Sequence, residues 1–286
     1  MTNLGHDKDF AARVFNQIKG FGEYGFPESH AASFALLVYL SAWLKCHEPS
    51  AFYCGLLNSL PMGFYSHSQL IQDARRHQIV IKPIDVQHSQ WDHALEGTNL
   101  KPDAHPAIRL GTRLIKGLDK ESGLRIEKAV KEKPFASIDE LAIRAGVNDQ
   151  NMRFLARAGA LKSLSGNRHQ AHWDVAGIKR PLPLKKIPSN ATRDSSLRKN
   201  PVIRPEPSPE KNLISDYRYT GFTLGPHPMR LIKNGGDWSK YTTAEKLANA
   251  RSGQFIRIAG LVTGRQRPST ASGIIFMTIE DETGNI

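Results

Sequence analysis

Residues 108–130 read IRLGTRLIKGLDKESGLRIEKAV, and this stretch decides how the middle of the chain folds. Its apolar spacing predicts two short helices joined by the tight turn Lys116-Gly117-Leu118-Asp119. Gly117 has no Cβ, so an anion can approach the backbone closely there. The helix after the turn presents unpaired N–H groups at its start. The stretch therefore predicts a surface that grips a nucleic-acid backbone without reading bases. Its candidate contacts are Arg113, Lys116, Gly117, Leu118, Lys120, Arg125 and Lys128.

One residue in the turn weighs against strong binding of DNA. Asp119 stands where many DNA-gripping hairpins have a second glycine, and its carboxylate would repel a phosphate. The alternative interpretation is a plain helical hairpin whose basic rim is solvated.

Residues 106–162 repeat the helix–turn–helix pattern. In the second copy, Ser137 and Glu140 predict a capping box, Gly146 breaks the chain, and Asn148 can cap the next helix. Fewer cations surround this turn, so we interpret it as structural. The apolar stripe of its second helix consists of Met152, Leu155 and Ala156.

The composition indicates a polyanionic partner. The 286 residues carry a formal charge of +12, with a pI near 9.7. A charge that serves only solubility is the alternative. Cys46 and Cys54 lack metal-ligand spacing, so we expect two small buried apolar groups in a reducing, cytoplasmic setting. The sequence contains no Gly-x-Ser-x-Gly elbow, phosphate-loop lysine motif or zinc-protease helix motif.

Residues 1–95 predict a mostly helical unit. We expect helices over residues 8–19, from Pro27 to Lys45, and over residues 50–60 and 66–77, then a short strand at residues 79–81. The apolar run from Ala31 to Leu44 is shorter than the roughly 20 residues that span a bilayer. It predicts a helix buried on nearly all sides, with no membrane partner.

Residues 178–212 differ in composition from the rest of the chain. They hold nine basic and three acidic residues and seven of the 17 prolines, which predicts a mobile basic linker. One interpretation is a tether that binds along the phosphates of a nucleic acid, and the alternative is an ordinary solvated linker. Residues 213–250 predict short helices and turns.

Side chains of residues 255–286 alternate between two faces, as is typical of β-strands. One predicted face consists of Ile256, Ile258, Gly260 and Val262. Three strands with a basic first loop resemble the start of an OB-fold, in which Arg265 and Arg267 would meet single-stranded DNA. A solvated loop is the alternative. Because half a barrel leaves a bare edge, we expect the chain to be a fragment of a longer protein.

Several collinear blocks resemble bacterial C-family DNA polymerases, and more narrowly the error-prone, translesion homologue of the DNA polymerase III alpha subunit. They are FNQIKGFGEYGFPESHAASFALLVYLSAWLKCHEPSAFYCGLLNSLPMGFYS, LIQDARRHQIVIKPIDVQHSQWD, IRLGTRLIKGL, TGFTLGPHP and IRIAGLVTGRQRPSTASGIIFMTIEDETGNI. Together they cover nearly the whole chain outside residues 178–212.

The resemblance implies a multi-domain, mainly α fold from the carboxy-terminal part of such an enzyme. Residues 1–95 would end the helical fingers, 106–177 form a tandem helix-hairpin-helix domain, 178–212 a linker, 213–250 a helical connector and 255–286 a partial OB-fold. It also implies that residues at the start of a fingers helix position the template or the nucleotide. The alternative is that these residues only cap the helix. These residues are Glu28, Ser29 and His30.

The resemblance further implies nucleotide addition to a primer with Mg2+ held by palm aspartates, which have no counterpart in this sequence. Asp7 and Asp9 fall at a helix start, where acidic side chains suit the helix dipole, and His169 with His172 lacks further ligands. We therefore expect no catalytic residue and no metal site here, and no polymerase activity from the chain alone.

Three alternatives remain open. The chain could be a stand-alone, non-catalytic DNA-binding module, or a fragment of a replicative alpha subunit, although residues 163–215 lack the Gln-x-x-Leu-Phe type of clamp peptide. It could also be a scaffold that recruits mutagenesis or replication proteins through the linker and residues 255–286.

Overall fold

The computed structural model describes residues 7–23, 28–63, 65–97, 105–178, 203–268 and 273–286, without the side chains of residues 20–23 and 28–30. Helices dominate these ranges. In chain order they are α1 Lys8–Glu23, α2 Glu28–His47, α3 Pro49–Asn58, α4 His67–Arg76, α5 Lys120–Glu132, α6 Ile138–Arg144, α7 Asp149–Ala158, α8 Lys162–Ser165, α9 Arg168–Ala176, α10 Pro209–Tyr219, α11 Pro228–Lys233 and α12 Ala244–Leu247. The strands are β1 Ile81–Lys82, β2 Ala94–Glu96, β3 Ala107–Arg109, β4 Leu261–Gln266 and β5 Phe276–Glu280.

Side-chain caps explain where several helices begin. Asn148 accepts from the Asn151 amide at the start of α7, as predicted. Ser66 and Gln69 form a complete capping box at α4 that the sequence analysis missed. The box predicted at α6 is incomplete: Ser137 caps the Glu140 amide, but Glu140 accepts from Ala136 instead of Ser137.

A three-stranded sheet corrects the predicted first helix of the first hairpin. β3 lies between β1, which is parallel to it, and β2, which is antiparallel. Ile108 pairs with both Ile81 and Leu95. The segment before the turn is therefore a strand and one 3-10 turn, Thr112–Leu114, because pairing with distant strands outweighs local helical spacing.

One contiguous core joins α3 to α9. Its largest fully buried side chains include Tyr53, Leu57, Ile126, Leu141 and Leu155. The predicted stripe of α7 is confirmed, since Met152, Leu155 and Ala156 are fully buried. The hairpin turns are thus mounted on a packed helical body.

The predicted burial of α2 is wrong, although the helix itself is present. Phe34 is 52% exposed, Leu37 57% and Tyr39 67%. Its residues are apolar all round, but α2 packs mainly against α3, so most of its surface is uncovered. Cys46, near its end, is exposed, whereas Cys54 in α3 is buried as expected. No helix among the residues searched is long and apolar enough to cross a membrane.

The end of the predicted linker packs against the helical body. Residues 179–202, the larger part of that prediction, lie outside the described ranges. Beyond them, the Arg204 amide donates to Gln170 Oε1 at 2.8 Å and its guanidinium lies 4.1 Å from the Trp173 ring. α10 then begins at Pro209, inside the predicted linker. These residues are therefore part of the folded body.

β4 and β5 form an antiparallel pair. The predicted strand face at Ile256 and Ile258 is wrong, since β4 begins only at Leu261. Thr242 donates to Arg257 O, and no strand of the described residues pairs with residues 255–260. A bridge between Glu280 and Asn285 agrees with a third strand starting there.

Stability should fall as the pH falls from 7 to 5 because of His93. Its Nδ1 accepts from the Gly111 amide at 3.1 Å, and burial, with smaller effects of His67 and Arg113, lowers the pKa of His93 to about 3. The unfolded chain binds this proton near pH 6.5 and the folded chain does not, so the contribution is full above pH 6.5 and is lost toward pH 3. We expect a loss of about 2 kcal/mol in the free energy of unfolding between pH 7 and pH 5.

Urea unfolding at several pH values measures this slope. In His93→Gln, where an amide oxygen replaces the Nδ1 acceptor, that part of the slope should disappear. An unchanged slope in this variant would show that His93 is not the group responsible.

Candidate nucleic-acid interface

The first turn needs glycine at position 117 because of its backbone conformation and packing, and not because of the predicted approach of an anion. Gly117 has φ +91°, in the left-handed region that favours glycine. A Cβ at this position would lie 2.7 Å from the Phe154 ring of α7. Packing between the two hairpins thus occupies the space that the sequence analysis assigned to an approaching phosphate.

Asp119 caps the helix that follows the turn. Its Oδ1 accepts from the Ser122 amide at 2.7 Å, and its Oδ2 accepts from the Asn151 side chain. The Ser122 amide, and to a lesser degree Asn151, hold the pKa of Asp119 below its usual value. Both carboxylate oxygens are engaged within the protein, and the lowered pKa keeps Asp119 ionised, so the predicted repulsion of phosphate still applies.

The two hairpins are tied together in both directions. From the second hairpin, Asn151 also donates to Ser122 Oγ at 2.9 Å. From the first, Arg125 Nε donates to Ala145 O at 3.0 Å in the turn before α7, and its Nη2 lies 3.5 Å from Gly146 O. These bonds hold the starts of α5 and α7 beside each other. We call turn 116–119 with α5 and turn 145–148 with α7 the hairpin pair.

Several residues predicted to contact DNA instead make contacts within the protein. Arg113 donates to Asn58 O at 2.9 Å and Leu60 O at 3.1 Å, and pairs with Asp92. Its guanidinium therefore holds the end of α3 and is not free for DNA. The Leu118 side chain is buried. Arg125 bridges the hairpins, as described above.

Lys116 is partly committed as well. Its amide donates to Tyr219 O at 2.9 Å, and its Nζ lies 3.4 Å from Tyr217 O at the end of α10. The side chain is exposed, so it caps α10 at the surface while its charge remains accessible.

Lys120 and Lys128 are the predicted cations of this hairpin that stay available. Both side chains are exposed, and neither ammonium group makes a hydrogen bond or ion pair with a described residue. Lys120 is the first residue of α5, where the helix dipole disfavours a positive charge by about 0.3–1 kcal/mol. A bound anion would reverse that penalty.

The remaining candidates lie on other elements. Arg265 is inside β4, paired with Met277, and not in the predicted loop; Arg267 follows the strand, and both are exposed. Glu28 begins α2, whereas the side chains of Glu28, Ser29 and His30 lie outside the described residues.

No group of three potential metal ligands occurs among the described residues. His169 Nδ1 lies 3.0 Å from Pro205 O, and burial, aided by the charge of Arg157, lowers the pKa of His172. Asp9 lies in the first turn of α1. The residues present do not fit the Mg2+ site that the resemblance implies for the whole enzyme.

Sequence reasoning missed Asn151 and Phe154, which connect the hairpins. Asn151 is 3% exposed within the apolar stripe of α7, and a polar residue at such a position signals a buried hydrogen bond. No comparable signal marked Phe154, because its partner Gly117 is far away in sequence.

Comparisons with known proteins agree with this geometry. A model of the helix-hairpin-helix motif matches residues 78–171. An error-prone DNA polymerase of Pseudomonas fluorescens (strain Pf0-1) is 50% identical over 287 residues, covering 100% of this chain and 27% of that protein. Those of Pseudomonas aeruginosa and Teredinibacter turnerae are also 50% identical, with the same coverage.

The chain thus spans 27% of the length of these relatives. Its motif match begins at residue 78, ahead of the hairpin pair, and includes the three-stranded sheet. The chain is therefore homologous, over its whole length, to a region of the bacterial error-prone DNA polymerases, and its residues 78–171 match the helix-hairpin-helix motif.

Proposed function

We propose that this chain holds DNA by its sugar-phosphate backbone as part of an error-prone DNA polymerase. The observation that carries the proposal is the hairpin pair, in which cross-bonds from Asn151 and Arg125 fix two helix starts beside each other. Helix starts attract phosphates through free amides and the helix dipole. Contacts of this kind are insensitive to base sequence.

The first hairpin supplies the favoured contact. Of the amides at the start of α5, that of Ser122 is capped and that of Gly123 donates to Asp119 O. Those of Lys120 and Glu121 make no hydrogen bond to a described residue. With the charge of the Lys120 side chain, they form a phosphate-sized donor group, and Lys128, about two turns further along α5, could meet a neighbouring phosphate.

Other parts of the chain have supporting roles in this proposal. β4 and β5 begin an OB-fold whose exposed Arg265 and Arg267 face single-stranded template. The start of α2 helps to position the template or nucleotide. Nucleotide addition belongs to other parts of the enzyme, in the cytoplasm, during damage-induced repair synthesis, and we expect none from this chain alone.

DNA binding should weaken as salt rises. The two hairpin cations, Lys120 and Lys128, contribute about −1.8 to the slope of log affinity against log salt, or about a tenfold loss between roughly 50 and 200 mM, and each further phosphate contact adds about −0.9. Fluorescence anisotropy with labelled duplexes of two unrelated sequences measures both the slope and the sequence dependence. A flat salt response, or affinity for only one duplex, would contradict the proposal.

A further inference from the structure

A cluster outside the predicted contacts adjoins the first turn. The Arg157 guanidinium of α7 lies 5.6 Å from the centre of the Tyr219 ring, and that of Arg218 lies 5.7 Å from the same centre. We call these three residues the ring stack. Guanidinium groups that stack on an aromatic face keep their N–H donors free for a second partner.

The ring stack is continuous with the hairpin pair. Tyr219 O accepts from the Lys116 amide, next to Gly117. Lys116 Nζ lies 3.4 Å from Tyr217 O and borders Gly221. Three cations, Lys116, Arg157 and Arg218, therefore surround the end of α10 beside the turn.

No carboxylate neutralises the two arginines within the ranges the structure describes. Neither guanidinium donates a hydrogen bond or forms an ion pair with any residue there. The carboxylate of Asp216, one turn earlier in α10, is used: Oδ1 accepts from Arg168 at 2.6 Å, and Oδ2 from Thr223 at 2.7 Å. The two guanidinium groups on this ring therefore have no counter-ion among the described residues.

The end of α10 does not supply that anion. A helix C-terminus carries partial negative charge on its last carbonyls, and three of the last four in α10 already accept hydrogen bonds. Asp216 O accepts from the Thr220 and Gly221 amides, while the Tyr217 and Tyr219 carbonyls are bonded by Lys116. The guanidinium donors therefore remain available.

The helices that carry the ring stack are fastened to the rest of the protein before any ligand binds. Arg168, 8% exposed, donates to Asn212 Oδ1 at 2.7 Å as well as to Asp216, which fastens α10 to α9. α10 also packs against α7, which carries Arg157. A preformed donor group loses little entropy on binding.

We propose that the ring stack is a second phosphate-binding position, which takes the backbone of the same DNA that the hairpin pair holds. The proposal depends on the proposed function and extends the DNA surface from the first turn onto α10. Planar guanidinium groups suit phosphate oxygens, which they can contact with paired N–H donors.

The double variant Arg157→Gln/Arg218→Gln in the full 286-residue chain tests this. Removing two phosphate contacts should weaken duplex binding on the order of tenfold near 0.1 M salt, and should make the salt slope shallower by about 1.8. The matched control is Arg230→Gln/Arg251→Gln, two exposed arginines on other elements, which should change neither the affinity nor the slope by comparable amounts.

The outcomes separate the two proposals. The double variant could keep wild-type affinity and salt slope while Lys120→Glu/Lys128→Glu loses DNA affinity. That result would overturn the ring-stack proposal and leave the proposed hairpin interface intact. Absence of salt-dependent binding by the wild-type chain would overturn both. If the double variant melts early, Arg218→Gln alone serves, because that side chain is exposed, and it should reduce the slope by about 0.9.

Discussion

Lys120→Glu/Lys128→Glu is expected to weaken DNA binding on the order of 50-fold near 0.1 M salt, by the same amount for unrelated sequences. Both side chains are exposed and unpaired within the described ranges, so reversal removes two favourable charges and adds two repulsive ones. Lys120 stands at the start of α5, where a carboxylate is favoured over an ammonium group by the helix dipole. The substitution at this position should leave the fold intact or stabilise it slightly.

Anisotropy titrations over a range of salt measure this effect, with thermal melting as the check on folding. Lys240→Glu/Lys246→Glu is the matched control, since it changes the net charge equally at two exposed lysines on other elements. If the control variant lost as much affinity, overall charge rather than the hairpin would govern binding.

Gly117→Ala is expected to lower the free energy of unfolding by about 3 kcal/mol. An alanine must adopt φ near +91°, and its Cβ would lie 2.7 Å from the Phe154 ring, so either the turn or α7 must move. Because this contact joins the two hairpins, DNA affinity should fall together with stability.

Gly166→Ala separates the two causes. Gly166 has φ +80°, but a Cβ there meets no atom within 4 Å, so only the backbone strain of about 1–2 kcal/mol remains. Urea unfolding of both variants measures the difference. Equal losses would mean that Phe154 does not press on Gly117.

Local signals predicted much of the helical framework. The expected helix over residues 66–77 corresponds to α4, His67–Arg76, and that over residues 50–60 to α3, Pro49–Asn58. Caps and apolar stripes lie within a few residues of the backbone groups they affect, so the sequence reveals them directly. β3 was not predicted, because this segment becomes a strand only by pairing with β1 and β2, which lie elsewhere in the sequence.

The candidate site was harder to predict, because the availability of a charge depends on contacts from elsewhere. Arg113 belongs to the basic rim in sequence, yet carbonyls at the end of α3 take up its donors. Conversely, the grouping of Arg157 and Arg218 on Tyr219 could not be predicted, because Arg157 lies far from that ring along the chain. Apolar periodicity likewise showed that α2 is hydrophobic without showing what would cover it.

The cross-bonds between the hairpins also determine how the region opens. If the first hairpin unravelled, Asn151 would lose Asp119 and Ser122 while buried; if the second did, Arg125 would lose the Ala145 carbonyl. The first rupture would leave a buried amide without partners, whereas the exposed Arg125 can be hydrated. We therefore expect opening of the first turn to destabilise the second in amide exchange more than the reverse.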